Sequence, residues 1–189
     1  MTSQDEFIII KKVTEGDVSA FSVLVDNYKD AAIALAFNIV LNREDAEDIV
    51  QEAFIKAYSS LRSFKGHSRF STWFYRIVLN TSLNKRKLKR PDTIAIEDGD
   101  DDLEANAFNA LSRFNNKEQK KAIQSALKVL NESERICITM YYLTELSIEE
   151  IAELTGFTSS NIKVLLHRSR KLLYQELQRL LKNEMKDLI

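Results

Sequence analysis

Helix breakers are almost absent from this chain, which holds four glycines and one proline in 189 residues. β-Sandwiches and barrels need both at their many tight turns, glycine for positive φ and proline for its fixed φ, so an all-β fold is not expected. With 44% hydrophobic residues the chain has enough apolar mass for packed cores, while 29% charged residues, spread along its length, argue against a membrane protein. The expectation is a soluble, all-α fold.

The few breakers fall where joints belong. Gly16 precedes a long periodic segment, Gly66 separates two helical patterns, Pro91 and Gly99 bracket a change of composition, and Gly156 sits in a short turn. Between them the periodicity predicts helices near 4–13, 17–40, 43–62 and 69–89, then near 119–130, 132–144, 147–154 and 158–181. From Pro91 to Glu104 there are seven acidic residues and no basic one. The reading is two small helical domains, 1–90 and 119–189, joined by a flexible, self-repelling acidic linker over 91–118.

Charge follows the same division. Residues 1–90 carry 14 Lys/Arg against 11 Asp/Glu (net +3), 91–118 carry 2 against 8 (net −6), and 119–189 carry 11 against 9 (net +2). Two nucleic-acid-compatible bodies on an acidic connector fit this asymmetry, with a solvated surface as the plain alternative. The single cysteine, Cys137, has no intramolecular partner, and the first 30 residues show no basic start, apolar run and small-residue cleavage site. A reducing, cytoplasmic setting is expected. No apolar run approaches the roughly 18 residues of a membrane span, so no membrane insertion is expected.

From Arg43 onward Ala46, Ile49, Val50, Ala53, Phe54, Ala57, Tyr58 and Leu61 recur at steps of three and one, forming an apolar stripe for a core. The other side gathers Glu44, Asp45, Glu47, Asp48, Gln51 and Glu52. It is open to three readings: a solvated face, a carboxylate metal site, or a docking surface for a basic partner. Metal ligation in a helical bundle needs inward carboxylates, commonly as Glu-x-x-His, and neither His67 nor His167 has such a neighbour. No metal site is expected.

The next segment runs Phe64-Lys65-Gly66-His67-Ser68-Arg69-Phe70-Ser71-Thr72-Trp73-Phe74-Tyr75-Arg76. Phe70, Phe74 and Ile77 suit a core, while Thr72, Arg76, Asn80 and Asn84 at spacing four suggest one polar stripe. Six basic residues and no acid lie between Arg76 and Arg90. A dense positive end beside amides and aromatics suits a nucleic-acid backbone with unstacked bases. The helix macrodipole alone would account for only two or three of those charges.

In the second half Ser147 with Glu150 forms a capping-box pattern, Ala152 permits close helix crossing, and Gly156 allows a turn. Ile162 and Leu165 then pin a second helix whose other side carries Ser160, Asn161, Lys163, Val164, His167, Arg168, Arg170 and Lys171. No acid occurs from Asn161 to Lys171, as a helix entering the DNA major groove requires, and the alternative is a merely structural helical hairpin. There is no nucleophile with a base, no Gly-rich phosphate loop and no dinucleotide fingerprint, so neither enzymatic activity nor a cofactor is expected.

The runs EGDVSAFSVLVDNY, REDAEDIVQEAFIKAY, FSTWFYRIVLN and LSIEEIAELTGFTSSNIKVLLHRSRKLL occur in one order that resembles the extracytoplasmic-function (ECF) class of bacterial RNA polymerase sigma factors. The resemblance implies a region-two domain that binds the clamp helices of the largest core polymerase subunit and opens the minus-ten element. It also implies a region-four domain that reads minus-thirty-five promoter DNA and docks on the flap of the second-largest subunit. By position, polymerase binding maps to Asp45, Asp48, Gln51, Glu52 and Phe54. The loop that pockets a flipped minus-ten base maps to Lys65, Gly66, His67, Ser68 and Arg69, and strand separation to Trp73, Arg76 and Asn80. Minus-thirty-five contacts map to Asn161, Lys163, Val164, His167, Arg168 and Arg170, with Ser160 beside them on the same exposed side. Val164-Leu165 departs from a Ser-Arg pair common in the family. An anti-sigma protein is the implied regulator, and a partner-sequestering helix-turn-helix protein is the alternative function.

Overall fold

The computed structural model describes residues 2–89 and 125–186, together with Ile123. All regular structure among the described residues is helical. The chain divides into two compact units, Met1–Gly99 and Asp100–Ile189.

In the first unit α1 (Ser3–Thr14), α2 (Phe21–Val40), α3 (Arg43–Ser60) and α4 (Phe70–Lys89) follow one another, with short 3₁₀ turns at Val18–Ala20 and Leu61–Ser63. Local chemistry sets the starts. Thr2 and Asp5 form a capping box on α1, satisfying backbone N–H groups that a helix end leaves without partners. Asp17 accepts from the Ala20 N–H, so the helix expected from residue 17 begins as a separate 3₁₀ turn ahead of α2. The chain leaves α2 through Leu41 in the left-handed region (φ 57°), then Asn42 caps α3 by accepting from the Asp45 N–H at 2.9 Å.

Leu24, Leu35, Ile49, Phe70 and Phe74 fill the middle of this unit, where α2, α3 and α4 pack on one another. Phe74 stacks on Phe54 at 4.4 Å between ring centroids, and lies nearly parallel to Phe70 at 5.9 Å. The apolar stripe of α3 is buried as expected from Ala46 to Ala57, and Leu61 beyond it, but Tyr58 at its end is exposed. Ile77, expected in the core, is only half-buried.

The second unit contains α5 (Glu132–Tyr142), α6 (Ile148–Thr155) and α7 (Ser159–Lys186) around Cys137, Met140, Leu146, Ile151, Ile162 and Leu166. Capping boxes Asn131/Glu134 and Ser147/Glu150 start α5 and α6, and Gly156 (φ 75°) ends α6 in the left-handed conformation that glycine adopts without strain. Helix α7 continues past the expected stop at 181 to Lys186. Of the helix expected near 119–130, Ile123 and residues 125–127 are helical, residues 128–130 form a turn instead, and the others lie outside the described residues, as does the whole acidic segment 91–118.

Candidate functional site

On α3, Glu44, Glu47, Asp48, Gln51 and Glu52 are exposed, as an open acidic face requires. Asp45 is not part of that open face: it is 8% exposed, because the N-terminal turn of α3 lies beside Lys85 of α4. The Lys85 ammonium stands 3.3 Å from an Asp45 oxygen and 3.2 Å from an Asp48 oxygen. Desolvation opposes its charge, yet the hydrogen bonds to Asp48 and Asp45 outweigh it and hold the lysine above its ordinary range. Glu52 pairs with Lys56 at 2.6 Å and Glu47 with Arg43 at 2.8 Å, so the face is laced with ion pairs along its own helix.

Phe54 is 8% exposed and therefore a core residue by area. Its ring nevertheless reaches the floor of an open apolar groove between α2 and α3, lined also by Val25, Ile33, Val50, Ile55 and Tyr58. Sequence reasoning passed over this groove. Periodicity places Tyr58 on the core stripe and leaves Ile55, 61% exposed, off it; an apolar residue outside the stripe is the signal for the groove.

The loop before α4 exposes Lys65, Gly66, His67 and Arg69, with Ser68 half-buried. Gly66 takes φ 69°, and the loop is tied at its start by the Phe64 N–H to the Leu61 carbonyl (3.1 Å) and at its end by the Trp73 N–H to the Arg69 carbonyl (3.2 Å). Trp73 is half-buried against Phe64 and Phe70, with centroids 5.1 and 5.7 Å away. Arg76 is half-buried, Asn80 and Asn84 are exposed, but Thr72 is fully buried. The expected four-residue polar stripe is thus broken. Each step of four overshoots a helical turn by about 40°, so position 84 lies about 120° around from position 72. Of the basic end, Lys85 is engaged by the two aspartates, Arg86 is half-buried and Lys87 exposed.

On α7, Ser160, Asn161, Lys163, Val164, His167, Arg168, Arg170 and Lys171 are all exposed, while Ile162, Leu165, Leu166 and Ser169 point into the unit. The Thr158 hydroxyl caps the start, accepting from the Asn161 N–H at 3.2 Å. Two arginines are restrained from α5. Arg168 lies 3.8 Å from a Glu134 oxygen that is buried without a hydrogen-bond partner, and Arg170 donates to the Tyr142 hydroxyl at 2.8 Å while its guanidinium sits 5.6 Å from the centres of both Tyr141 and Tyr142. These α5 partners were invisible from spacing within α7 alone. Cys137 is a buried free thiol, pushed up to about 11 by desolvation. Among the described residues no cluster of three or more His, Cys, Asp or Glu could hold a metal ion, and no helix is long and apolar enough to cross a membrane.

Two bodies of this kind, an aromatic-rich bundle and a helix-turn-helix, are matched in the same order by known proteins. Residues 24–90 match the family model for sigma-70 region 2, and residues 120–173 that for sigma-70 region 4. The chain is 33% identical over 183 residues to the ECF RNA polymerase sigma factor SigW of Bacillus subtilis, covering 89% of this chain and 95% of that protein. It is also 33% identical over 187 residues to the ECF RNA polymerase sigma-E factor of Escherichia coli K12, covering 93% and 95%. The chain belongs to the ECF family of RNA polymerase sigma factors. Among solved structures its fold is similar to that of CnrH in complex with the cytosolic domain of CnrY (TM-score 0.63, 22% identity, 91% of this chain and 96% of that one). It is likewise similar to the sigma factor RpoE bound to the anti-sigma factor NepR from Bartonella quintana (TM-score 0.60, 23% identity, 84% and 96%).

Proposed function

We propose that this chain is a promoter-specificity subunit that joins core RNA polymerase, recognises minus-thirty-five and minus-ten elements and promotes strand opening. The observation that carries this is the presence of both sigma regions, in order, within a chain matching curated ECF sigma factors over nearly its full length. It acts by binding, not by making or breaking covalent bonds, and works in the cytoplasm alongside its polymerase.

The division of labour follows the sites. The acidic side of α3 with Asp48, Gln51 and Glu52, bordered by the apolar groove under Phe54, docks on the clamp helices of the largest subunit. Apolar burial in the groove supplies affinity and the carboxylates supply orientation, the usual partition at mixed interfaces. Lys65 to Arg69 receive a base extruded from the minus-ten duplex, and Trp73, Arg76 and Asn80 hold the opened strand; capture must offset an unstacking cost of a few kcal/mol. Helix α7 enters the minus-thirty-five major groove, with Asn161, Val164 and His167 toward base edges and Lys163 toward phosphate, while the second unit also contacts the flap of the second-largest subunit. An anti-sigma protein covering the polymerase-binding surfaces is the expected regulator. Run-off transcription with core polymerase across a fragmented genomic pool tests the whole reading: discrete promoter-dependent transcripts support it, and transcripts no different from those of core enzyme alone overturn it.

A further inference from the structure

Helix α1 precedes the segment matched to region 2, and of the two carboxylates in its first turn, Asp5 and Glu6, the second is turned inward. Glu6 is only 5% exposed. One of its oxygens accepts from the Tyr28 hydroxyl of α2, and the other accepts from the backbone N–H of Phe70, the first residue of α4, at 3.3 Å. Burial first, and then the Glu6 carboxylate, hold the Tyr28 hydroxyl well above its ordinary range, so it remains a donor at any working pH.

A buried carboxylate is costly unless its lone pairs are met, and here two donors from two other helices meet them. The position matters as much as the pairing. Helix N-termini present N–H groups that a local Ser, Thr, Asp or Asn commonly satisfies, but α4 begins directly after Arg69, whose side chain has only donors. Glu6, 64 residues away in sequence, serves as acceptor and places negative charge at the positive end of the helix. That N–H marks where the loop Lys65 to Arg69 becomes helix. At the same junction Phe64 packs on Phe70 and Trp73, so the loop's exit is held by an aromatic contact as well as a charged one.

We propose that Glu6 is a positioning residue for strand opening: by fixing the N-terminus of α4 from α1, it sets the shape of the loop that takes the extruded minus-ten base. This rests on the loop's assignment above, and the experiment separates the two. The probe is a pre-melted template carrying a promoter recovered by run-off transcription, with each of the four bases in turn at each unpaired non-template position, bound by holoenzyme assembled from the full chain.

The parent should prefer one base at one of these positions; no preference anywhere overturns the loop assignment and the proposal with it. Glu6→Ala should reduce that preference on the order of tenfold, the share of one base contact, with affinity for core polymerase and for minus-thirty-five duplex unchanged. Glu6→Gln, which keeps an acceptor for the Phe70 N–H, should restore most of it. A parental preference in Glu6→Ala, or no recovery in Glu6→Gln, overturns the positioning role. Should Glu6→Ala fail to assemble, Tyr28→Phe carries the test, since it removes one hydroxyl and spares the acceptor at Phe70. Weakened preference with intact core binding then supports the proposal, and unchanged preference overturns it.

Discussion

On the proposed reading, single side chains on α7 divide by chemistry into those that grip and those that discriminate. Lys163 is exposed on a flexible stem, suited to a phosphate. Lys163→Ala should therefore weaken duplex binding on all sequences alike and lower the dependence of log K on log salt by about one, measured by titration at several salt concentrations. An unchanged slope would remove Lys163 from the phosphate contacts. Cys137 shows the opposite case, a residue whose importance is packing. With its thiol pushed up to about 11 in the fold and near its ordinary value when unfolded, the stability it contributes is fully present below the ordinary thiol range and is lost as pH rises toward 11. Iodoacetamide at pH 8 should label the native protein far more slowly than the denatured one; equal rates would mean that the thiol meets solvent. The exposed residues of α7 were legible in the sequence, because periodicity decides which way a helical side chain faces. Glu134, Tyr141 and Tyr142 were not, since nothing in α7's spacing says which side chains of α5 its arginines will find.

At the scale of elements, α3 couples the face proposed for docking to a core face, and its charges have partners on both α3 and α4. The double substitution Asp48→Lys with Glu52→Lys should abolish holoenzyme assembly, read by co-migration with core polymerase on a sizing column, because charge reversal at a contact costs several kcal/mol. Helicity by circular dichroism should persist. The pairs lost to Lys85 and Lys56 are exposed surface pairs worth at most about 1 kcal/mol each, even allowing for the repulsion that replaces them. Retained assembly would sink the docking role of this face. Among the described residues, the order of the helices from α1 to α4 and from α5 to α7 was readable from apolar periodicity and a handful of breakers. The details that failed, the 3₁₀ turn before α2, buried Thr72 and engaged Asp45, all depend on how one helix lies across another, and a helical repeat carries no record of its neighbours.

For the molecule as a whole, the family's two sites must act on separated promoter elements, and the acidic segment 91–118 joins them in sequence. Those residues fall outside the described structure, so their role rests on composition: 28 residues span at most roughly 95 Å, ample as a tether, yet reach alone requires no run of acids. Replacing 91–118 with a Gly/Ser sequence of equal length preserves the tether and deletes the charge. If the acids keep this segment off nucleic acid or imitate it transiently in polymerase channels, the variant should bind core enzyme normally but initiate less efficiently and with an altered ladder of abortive products on a sequencing gel. Identical efficiency and products would leave the segment as a spacer only.

Trp73 is the sole tryptophan of the chain, and it stands where the loop 65–69, proposed above to take a minus-ten base, meets α4. Excitation at the red edge of aromatic absorption therefore interrogates one place in the protein without any attached dye. Emission should be blue-shifted relative to free indole in solution while the ring rests on Phe64 and Phe70, and a single-stranded minus-ten oligonucleotide added to holoenzyme should quench it as a base comes to lie against the indole. The polymerase's own tryptophans set a constant background that a Trp73→Phe control subtracts. On the proposed reading the protein carries its own optical reporter of strand capture, one whose time course would follow promoter melting as it happens.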